Sequence, residues 1–189
     1  MNNNFTLLVK DKTMCSVLEN VVKLGGLSLQ AEDCLIRAAV SQRNEHGGLD
    51  RIQNERYHQF LIWRAVLPLF DATIEREGNT DLIIKSAEES HYFEMKNWRS
   101  VNGERELPSI RDDIKKLGGR DNGYILITSA NPPGKFSCNI KFLLENLNGL
   151  GNRDPKHYLF NTISTTGCEI EYWIAGWPLP RVKVEAYPP

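Results

Sequence analysis

The sequence lacks an apolar run long enough to cross a bilayer. Residues 1–4 also lack the basic and apolar features of a secretory signal. The four cysteines are widely scattered, and none belongs to a Cys-x-x-Cys pair, which argues against a cysteine zinc site and against a disulfide framework. From these absences we expect a cytoplasmic protein, with no membrane partner, whose cysteines are reduced thiols packed as small apolar side chains.

An excess of positive charge is absent as well. The 23 Lys and Arg residues are balanced by 24 Asp and Glu residues, so the net charge is −1, which argues against a general nucleic-acid coat protein. No glycine-rich nucleotide-binding motif is present, and we expect no nucleotide cofactor. Charged residues of both signs do lie between Lys96 and Arg120. Among them Lys115 and Lys116 are interpreted as a solvated helix face, with contacts to phosphates as the alternative.

The 189 residues contain an ordinary share of apolar residues, 41%, which is enough for one domain with its own core. Helices are predicted at residues 14–24 and 28–43, the first ending at Gly25-Gly26. We interpret residues 1–48 as an N-terminal helical extension and residues 49–189 as an α/β core, the two together forming one compact domain. The extension is a candidate interface for a homodimer or a protein partner.

The α/β core is predicted to begin with a helix and three strands. Asp50 has the position of an N-cap, with Gln53 completing a capping box, and the helix is expected to stop before Pro68. Short connections join the three strands, which therefore form an antiparallel meander. The predicted strands span residues 72–77, 80–86 and 91–98.

A helix opening at Ser109 and ending at Leu117 is predicted to follow the meander. The apolar segment 124–128 is typical of a strand covered on both faces of a sheet. The later elements are a helix and three further strands, predicted at residues 135–147, 158–163, 169–175 and 181–184. This order predicts a mixed central sheet flanked by helices, an α/β fold.

Three charged residues on two neighbouring strands carry the functional prediction. Glu94 and Lys96 alternate with Phe93 and Met95, so the two charged side chains lie on one face of the third strand, about 7 Å apart. Asp81 begins the second strand. Because the start of one antiparallel strand lies beside the end of the next, Asp81, Glu94 and Lys96 are predicted to converge at one end of the sheet.

Such a cluster suits the hydrolysis of phosphodiester bonds. Two carboxylates provide the oxygen ligands that Mg²⁺ prefers, and Mn²⁺ accepts the same ligands. A bound divalent ion polarises a phosphoryl oxygen and lowers the pKa of a bound water. A neighbouring lysine can orient that water and offset the charge that develops on the phosphate.

The pattern of Asp81 followed by Glu94-Met95-Lys96 resembles the signature of the PD-(D/E)xK nuclease superfamily, and so do the predicted elements of residues 50–130. The resemblance implies a restriction-endonuclease-like fold. It also implies that Asp81 and Glu94 bind the metal and that Lys96 acts on the attacking water. Members often carry a glutamate on the helix before the meander. Glu55 is the matching candidate, for catalysis and for a second metal or a metal-bound water.

Other residues near this pattern have less specific interpretations. The sequence departs from the family at Thr80, where a proline is frequent. His58 lies one turn after Glu55 and is interpreted as a packed or surface histidine; metal ligation is the alternative, because some nucleases of this fold that cut RNA carry a histidine. Trp98 follows Lys96 on the same strand face and could stack on a base of single-stranded nucleic acid.

The leading hypothesis is a nuclease that cuts DNA with Mg²⁺ or Mn²⁺. The first alternative is an RNA-cleaving nuclease with the same site. The second is an inactive protein of nuclease-like fold that binds nucleic acid or a protein partner, as the near-neutral charge and the N-terminal helices would allow.

Overall fold

The computed structural model describes residues 16–52, 54–74, 80–86, 89–99, 104–150 and 153–180. Within these ranges the chain forms helices α1 Val17–Ser41, α2 Glu55–Val66, α3 Leu107–Leu117 and α4 Phe136–Asn146, together with a 3-10 turn at Leu49–Arg51. The strands are β1 Asp71–Ile74, β2 Leu82–Lys85, β3 Ser90–Asn97, β4 Gly123–Asn131, β5 Lys156–Ile163 and β6 Glu169–Pro178.

The six strands form one mixed sheet in the order β1-β2-β3-β4-β6-β5. Strands β1, β2 and β3 are the antiparallel meander that the sequence predicts. Strand β4 runs parallel to β3, which requires a crossover connection, and α3 lies in that connection. Strands β6 and β5 then pair antiparallel. The predicted α/β class with a mixed central sheet is confirmed.

The sheet separates two apolar cores, since successive side chains of a strand point to opposite faces. The α1/α2 core contains residues of these helices and every second residue of the central strands, such as Phe93, Met95 and Leu126. The α3/α4 core lies on the other face and contains Ile125 and Trp173. No described helix is long and apolar enough to span a membrane.

The prediction of two N-terminal helices separated at Gly25-Gly26 is wrong, because α1 is one helix of 25 residues that passes through both glycines. Both are buried. A Cβ atom at Gly26 would lie 2.4 Å from the Tyr158 ring, and one at Gly25 would lie 3.1 Å from Ile62. The glycines therefore let α1 approach β5 and α2 closely instead of ending a helix. Residues 1–15 lie outside the described part of the chain.

The prediction that Asp50 caps the next helix is also wrong. Asp50 lies in the 3-10 turn, and its Oδ2 accepts a hydrogen bond from the backbone N–H of Thr165, 2.8 Å away. Helix α2 begins at Glu55 and is capped by the side chain of Asn54. Gln53, the other half of the predicted capping box, is outside the described residues. The bond to Thr165 explains the difference, since it uses the carboxylate for a distant loop.

Helix α3 begins at Leu107, two residues before the predicted start at Ser109. Pro108 occupies its first turn, where a missing N–H is tolerated, and the Ser109 hydroxyl donates to the Glu106 carbonyl 3.1 Å away. The predicted helix ends at residues 66 and 117, the helix at 135–147 and the strands near 124–128, 158–163 and 169–175 agree with the structure to within a few residues. The strand predicted at 181–184 lies outside the described residues.

Candidate active site

Asp81 and Glu94 meet at the end of the β2–β3 pair. Leu82 pairs with Phe93, and the same register continued by one residue places Asp81 opposite Glu94. The Asp81 carboxylate turns toward β3, where its Oδ2 accepts a hydrogen bond from the backbone N–H of Met95 at 2.7 Å. The two carboxylates that the sequence pattern singles out therefore belong to one place on the sheet.

Lys96 joins the same place through two ion pairs. Its Nζ lies 3.6 Å from Glu55 Oε1 and 3.1 Å from Asp113 Oδ2. The other oxygen of Glu55, Oε2, accepts a hydrogen bond from the backbone N–H of Asn97 at 2.9 Å. The first residue of α2 is thus fixed to the end of β3, and Glu55 is brought to Lys96 although 41 positions of sequence separate them.

Helix α3 supplies two members that the sequence interpretation did not include. Asp113 contacts Lys96, and Lys116, three residues later on the same side of the helix, has its Nζ 2.5 Å from Glu94 Oε1. Lys116 lies on an exposed part of the helix, as the interpretation of a solvated face expects, but its ammonium group binds the buried carboxylate of Glu94. The interpretation holds for Lys115, whose side chain is 77% exposed and pairs with Asp112.

A sequence signal for these two residues does exist. Ile110 and Leu117 form the buried stripe of α3, and Asp113 and Lys116 occupy positions three residues after the first and one before the second. Charged residues that border an apolar stripe on a helix lie at the edge of its contact with the sheet. The assembled set, called the charged cluster below, consists of Glu55, Asp81, Glu94, Lys96, Asp113 and Lys116.

The charged cluster carries four carboxylates and two ammonium groups, a net charge of −2 when all are ionised. Glu94 is 3% exposed. Burial raises the pKa of Glu94 to about 7; the hydrogen bond from Lys116 opposes this shift and the charge of Asp81 adds to it. Burial also raises the pKa of Asp81, against the effect of the Met95 N–H. The negative charges of Glu94 and Asp81 are therefore poorly solvated in the folded protein.

Lys96 responds in the opposite way. Burial alone would lower its pKa, but the carboxylates of Glu55, Asp113 and Asp81 together outweigh burial and raise it. Its ammonium group therefore stays charged at neutral pH. A charged donor of this kind can stabilise the negative charge that develops on a phosphate in a transition state.

The carboxylates of the charged cluster are the candidate ligands for a metal ion. Among the described residues, no three or more His, Cys, Asp or Glu side chains are grouped so as to hold a metal ion. Asp81 and Glu94 are a pair of oxygen donors, which fits Mg²⁺ because that ion keeps several waters and often uses only one or two carboxylates. The net charge of −2 matches one divalent cation. Glu55 as a ligand would have to leave Lys96 and Asn97.

A cleft of about 590 Å³ opens beside the charged cluster. One wall is the end of β3 and the residues after it, with Lys96 and Arg99. The other wall is the start of α3, with Arg105 and Ser109. Glu55 and Glu106 also line the cleft, so three basic side chains outnumber two acidic ones. The positive end of α3 adds to the basic side, and the balance favours an anionic ligand.

His58 and Trp98 are packed elsewhere. His58 is buried with its ring edge-on to Tyr172 and its Nε2 3.4 Å from the Tyr172 hydroxyl; burial lowers its pKa to about 4. Its interpretation as a packed histidine agrees with this placement. Trp98 is 5% exposed and stacks on Phe142, so it has no open face for a base, and the base-stacking interpretation is wrong.

Comparison with known proteins identified no relative. No family model matches the chain, no curated protein matches its sequence, and no solved structure matches it. The candidate site therefore stands on its own geometry.

Proposed function

We propose that this protein is a nuclease of restriction-endonuclease-like fold that hydrolyses DNA phosphodiester bonds with Mg²⁺ or Mn²⁺. The observation that carries the proposal is the hydrogen bond from the Met95 N–H to the Asp81 carboxylate, which brings Asp81 to the part of β3 that presents Glu94 and Lys96, together with the net negative charge of the cluster around them. A buried carboxylate and a partly buried one, both with raised pKa values and beside a charged lysine, are uncommon in a purely structural role.

In this proposal Asp81 and Glu94 hold the divalent ion. The bound ion would polarise a phosphoryl oxygen and lower the pKa of a water molecule. Lys96 donates to the attacking water and offsets the negative charge that builds on the phosphate. Glu55 and Asp113 keep the Lys96 ammonium charged and fixed between them. Such fixation matters because a displacement of about 1 Å can lower a rate by about 100-fold.

The cleft beside the charged cluster is proposed to hold the phosphates next to the cut. Arg99 and Arg105 line it, and arginine binds phosphate oxygens in pairs. Such contacts recognise the backbone and not the bases. We further propose a cytoplasmic location, in keeping with the free thiols of Cys34, Cys138 and Cys168.

The test is incubation of the purified protein with supercoiled plasmid, linear duplex DNA, single-stranded DNA and RNA, with Mg²⁺, Mn²⁺ or chelator. We expect metal-dependent cleavage of DNA, with a loss of about 100-fold or more in Asp81→Asn and in Lys96→Met. Asp112→Asn and Lys115→Met are matched controls, since both residues are exposed on the same helix that contributes to the site, and they should retain full activity.

Two results would reject the proposal: cleavage that persists in chelator, or equal activity in Asp81→Asn and the control variants. Cleavage of RNA but not of DNA would mean that the same site acts on RNA. A protein that binds neither Mg²⁺ nor Mn²⁺ through Asp81 and Glu94 would instead be a non-catalytic member of the fold class.

A further inference from the structure

The charged cluster contains two lysines that differ in their partners. Lys96 forms ion pairs with Glu55 and Asp113 and lines the cleft. Lys116 comes from α3 and places its ammonium group 2.5 Å from Glu94 Oε1. One lysine therefore borders the cleft, and the other contacts a proposed metal ligand directly.

We propose that Lys116 is a built-in competitor of the divalent cation: it occupies the metal position at Glu94 in the metal-free protein and must withdraw for the metal to bind. This inference rests on the proposed function. It gives Lys116 the role of a positioning residue that keeps Glu94 in place and sets metal affinity.

Geometry is the first argument. Lys116 Nζ lies 2.5 Å from Glu94 Oε1, and Mg²⁺ binds oxygen ligands at about 2.0–2.1 Å, so the two cations would compete for contact with the same carboxylate. A doubly charged ion and an ammonium group only a few ångströms apart repel strongly where water is largely excluded. Glu94 is almost fully buried, and the two cations cannot share its carboxylate without that repulsion.

Second, without a metal, the buried Glu94 carboxylate needs another counter-ion. A buried carboxylate without a counter-ion is strongly destabilising, and the Lys116 ammonium group supplies this counter-ion for Glu94. Lysine suits the task because its four-carbon stem is flexible and its ammonium group is readily solvated. The Lys116 side chain is 33% exposed, so a path to solvent is open.

Separation from Lys96 is the third argument. Lys96 is held by Glu55 and Asp113, and neither carboxylate is the proposed primary metal ligand. Withdrawal of Lys116 therefore leaves the lysine proposed for catalysis in its place. The carboxylate exchanges one cation for another while the remainder of the cluster keeps its contacts.

The experiment is a calorimetric Mn²⁺ titration of the full-length wild type, Lys116→Met and Lys115→Met at one pH and ionic strength. Methionine keeps most of the stem and removes the charge. We expect the Kd for Mn²⁺ to fall at least about tenfold in Lys116→Met and to stay unchanged in Lys115→Met, because Lys115 is solvated and pairs with Asp112. Lys116→Gln is the second variant should the first fold poorly.

A labelling measurement reports the withdrawal itself. An amine-acylating reagent should modify Lys116 faster after Mn²⁺ is added, whereas the rate at Lys115 should not change. A merely structural lysine would show no such metal-dependent reactivity. Thermal denaturation without metal should show a lower Tm for Lys116→Met than for the wild type, and Mn²⁺ should raise the Tm of the variant more.

The outcomes separate this inference from the proposed function. If the wild type binds Mn²⁺ in a way that Asp81→Asn abolishes, but Lys116→Met binds with the same or weaker affinity, the competition is refuted and the metal site stands. If neither the wild type nor Lys116→Met binds Mn²⁺, both are refuted. Mn²⁺ binding by the wild type that becomes tighter in Lys116→Met, and is lost from both with Asp81→Asn, supports both.

Discussion

The two faces of β3 differ in polarity, so neighbouring residues of the strand lie in opposite environments. Phe93 and Met95 are buried in the α1/α2 core. Glu94 and Lys96 point to the other face, where α3 meets them with Asp113 and Lys116. Further along the same strand direction Trp98 returns to apolar packing, in the α3/α4 core. The charged cluster is therefore set into one end of a face that is otherwise apolar.

The buried apolar residues of β3 stabilise the fold, whereas the buried charged residue Glu94 destabilises it. Burial of Phe93 contributes about 1.5–3 kcal/mol by removing apolar surface from water. Burial of the Glu94 carboxylate is unfavourable, as its raised pKa shows. Adjacent positions on one strand thus have opposite effects on stability, a cost that the proposed function would explain.

The largest effect on stability is expected from a substitution in the apolar core beneath β3. Phe93→Ala removes a fully buried ring and should lower the free energy of unfolding by about 3–5 kcal/mol, measured by urea denaturation. Leu159→Ala is the control, since Leu159 is 38% exposed, and should change stability little. A small effect of Phe93→Ala would show that the α1/α2 core does not depend on β3.

A pH titration of stability examines a second buried group on the α1/α2 side. The pKa of His58 is lowered to about 4 in the folded protein but is near 6.5 in the unfolded chain. The unfolded state therefore binds more protons at this position between these values, and the contribution of His58 to stability should fall as the pH drops from 6.5 to 4, by roughly 3 kcal/mol at most.

His58→Gln should flatten this part of the pH profile. His46→Gln is the matched control, because His46 is exposed, and it should leave the profile as in the wild type. Denaturant midpoints at several pH values measure the effect, and equal slopes in wild type and His58→Gln would contradict the assignment.

Substitution of Glu94, on the charged face of β3, should stabilise the protein, whereas substitution of Phe93 should destabilise it. The pKa of Glu94 is raised to about 7 in the folded protein, above its ordinary value near 4.3, so the folded state binds the extra proton and stability is lost as the pH rises through this range. Glu94→Gln should thus stabilise the metal-free protein at pH 8, by about 1–2 kcal/mol, and have little effect at pH 4.

The measurement is chemical denaturation in chelator at both pH values. Asp112→Asn removes an exposed carboxylate from α3 and should leave stability nearly unchanged at each pH. Destabilisation by Glu94→Gln at pH 8 would mean that the ion pair with Lys116 outweighs the burial of the carboxylate, and the contrast with Phe93 would disappear.

The smallest change in side-chain volume, one methyl group, concerns the approach of α1 to the sheet. Gly26→Ala places a Cβ against the Tyr158 ring and should destabilise the protein by about 1–3 kcal/mol through overpacking, despite the better helix propensity of alanine. Gly119→Ala is the control, since nothing lies within 4 Å of its added Cβ. Equal Tm values for the two variants would disprove the close approach.

Prediction from the sequence succeeded where neighbouring residues decide the outcome. The alternation of Phe93-Glu94-Met95-Lys96 assigns each side chain to a face, and the structure confirms the meander and the residues that each face presents. The pair Gly25-Gly26 shows where such prediction fails. Glycines that end a helix and glycines that allow a close contact look alike in sequence, and Tyr158, more than 130 positions away, decides between the two.

The sequence by itself therefore determined the α/β class, the meander and the strand face on which Glu94 and Lys96 lie, because these follow from the two-residue period of a strand and from short connections. Only the tertiary structure decided that Asp113 and Lys116 meet those residues. Their position depends on how the crossover between β3 and β4 lays α3 across the sheet. That placement is set by packing between distant segments, which no local pattern of residues encodes.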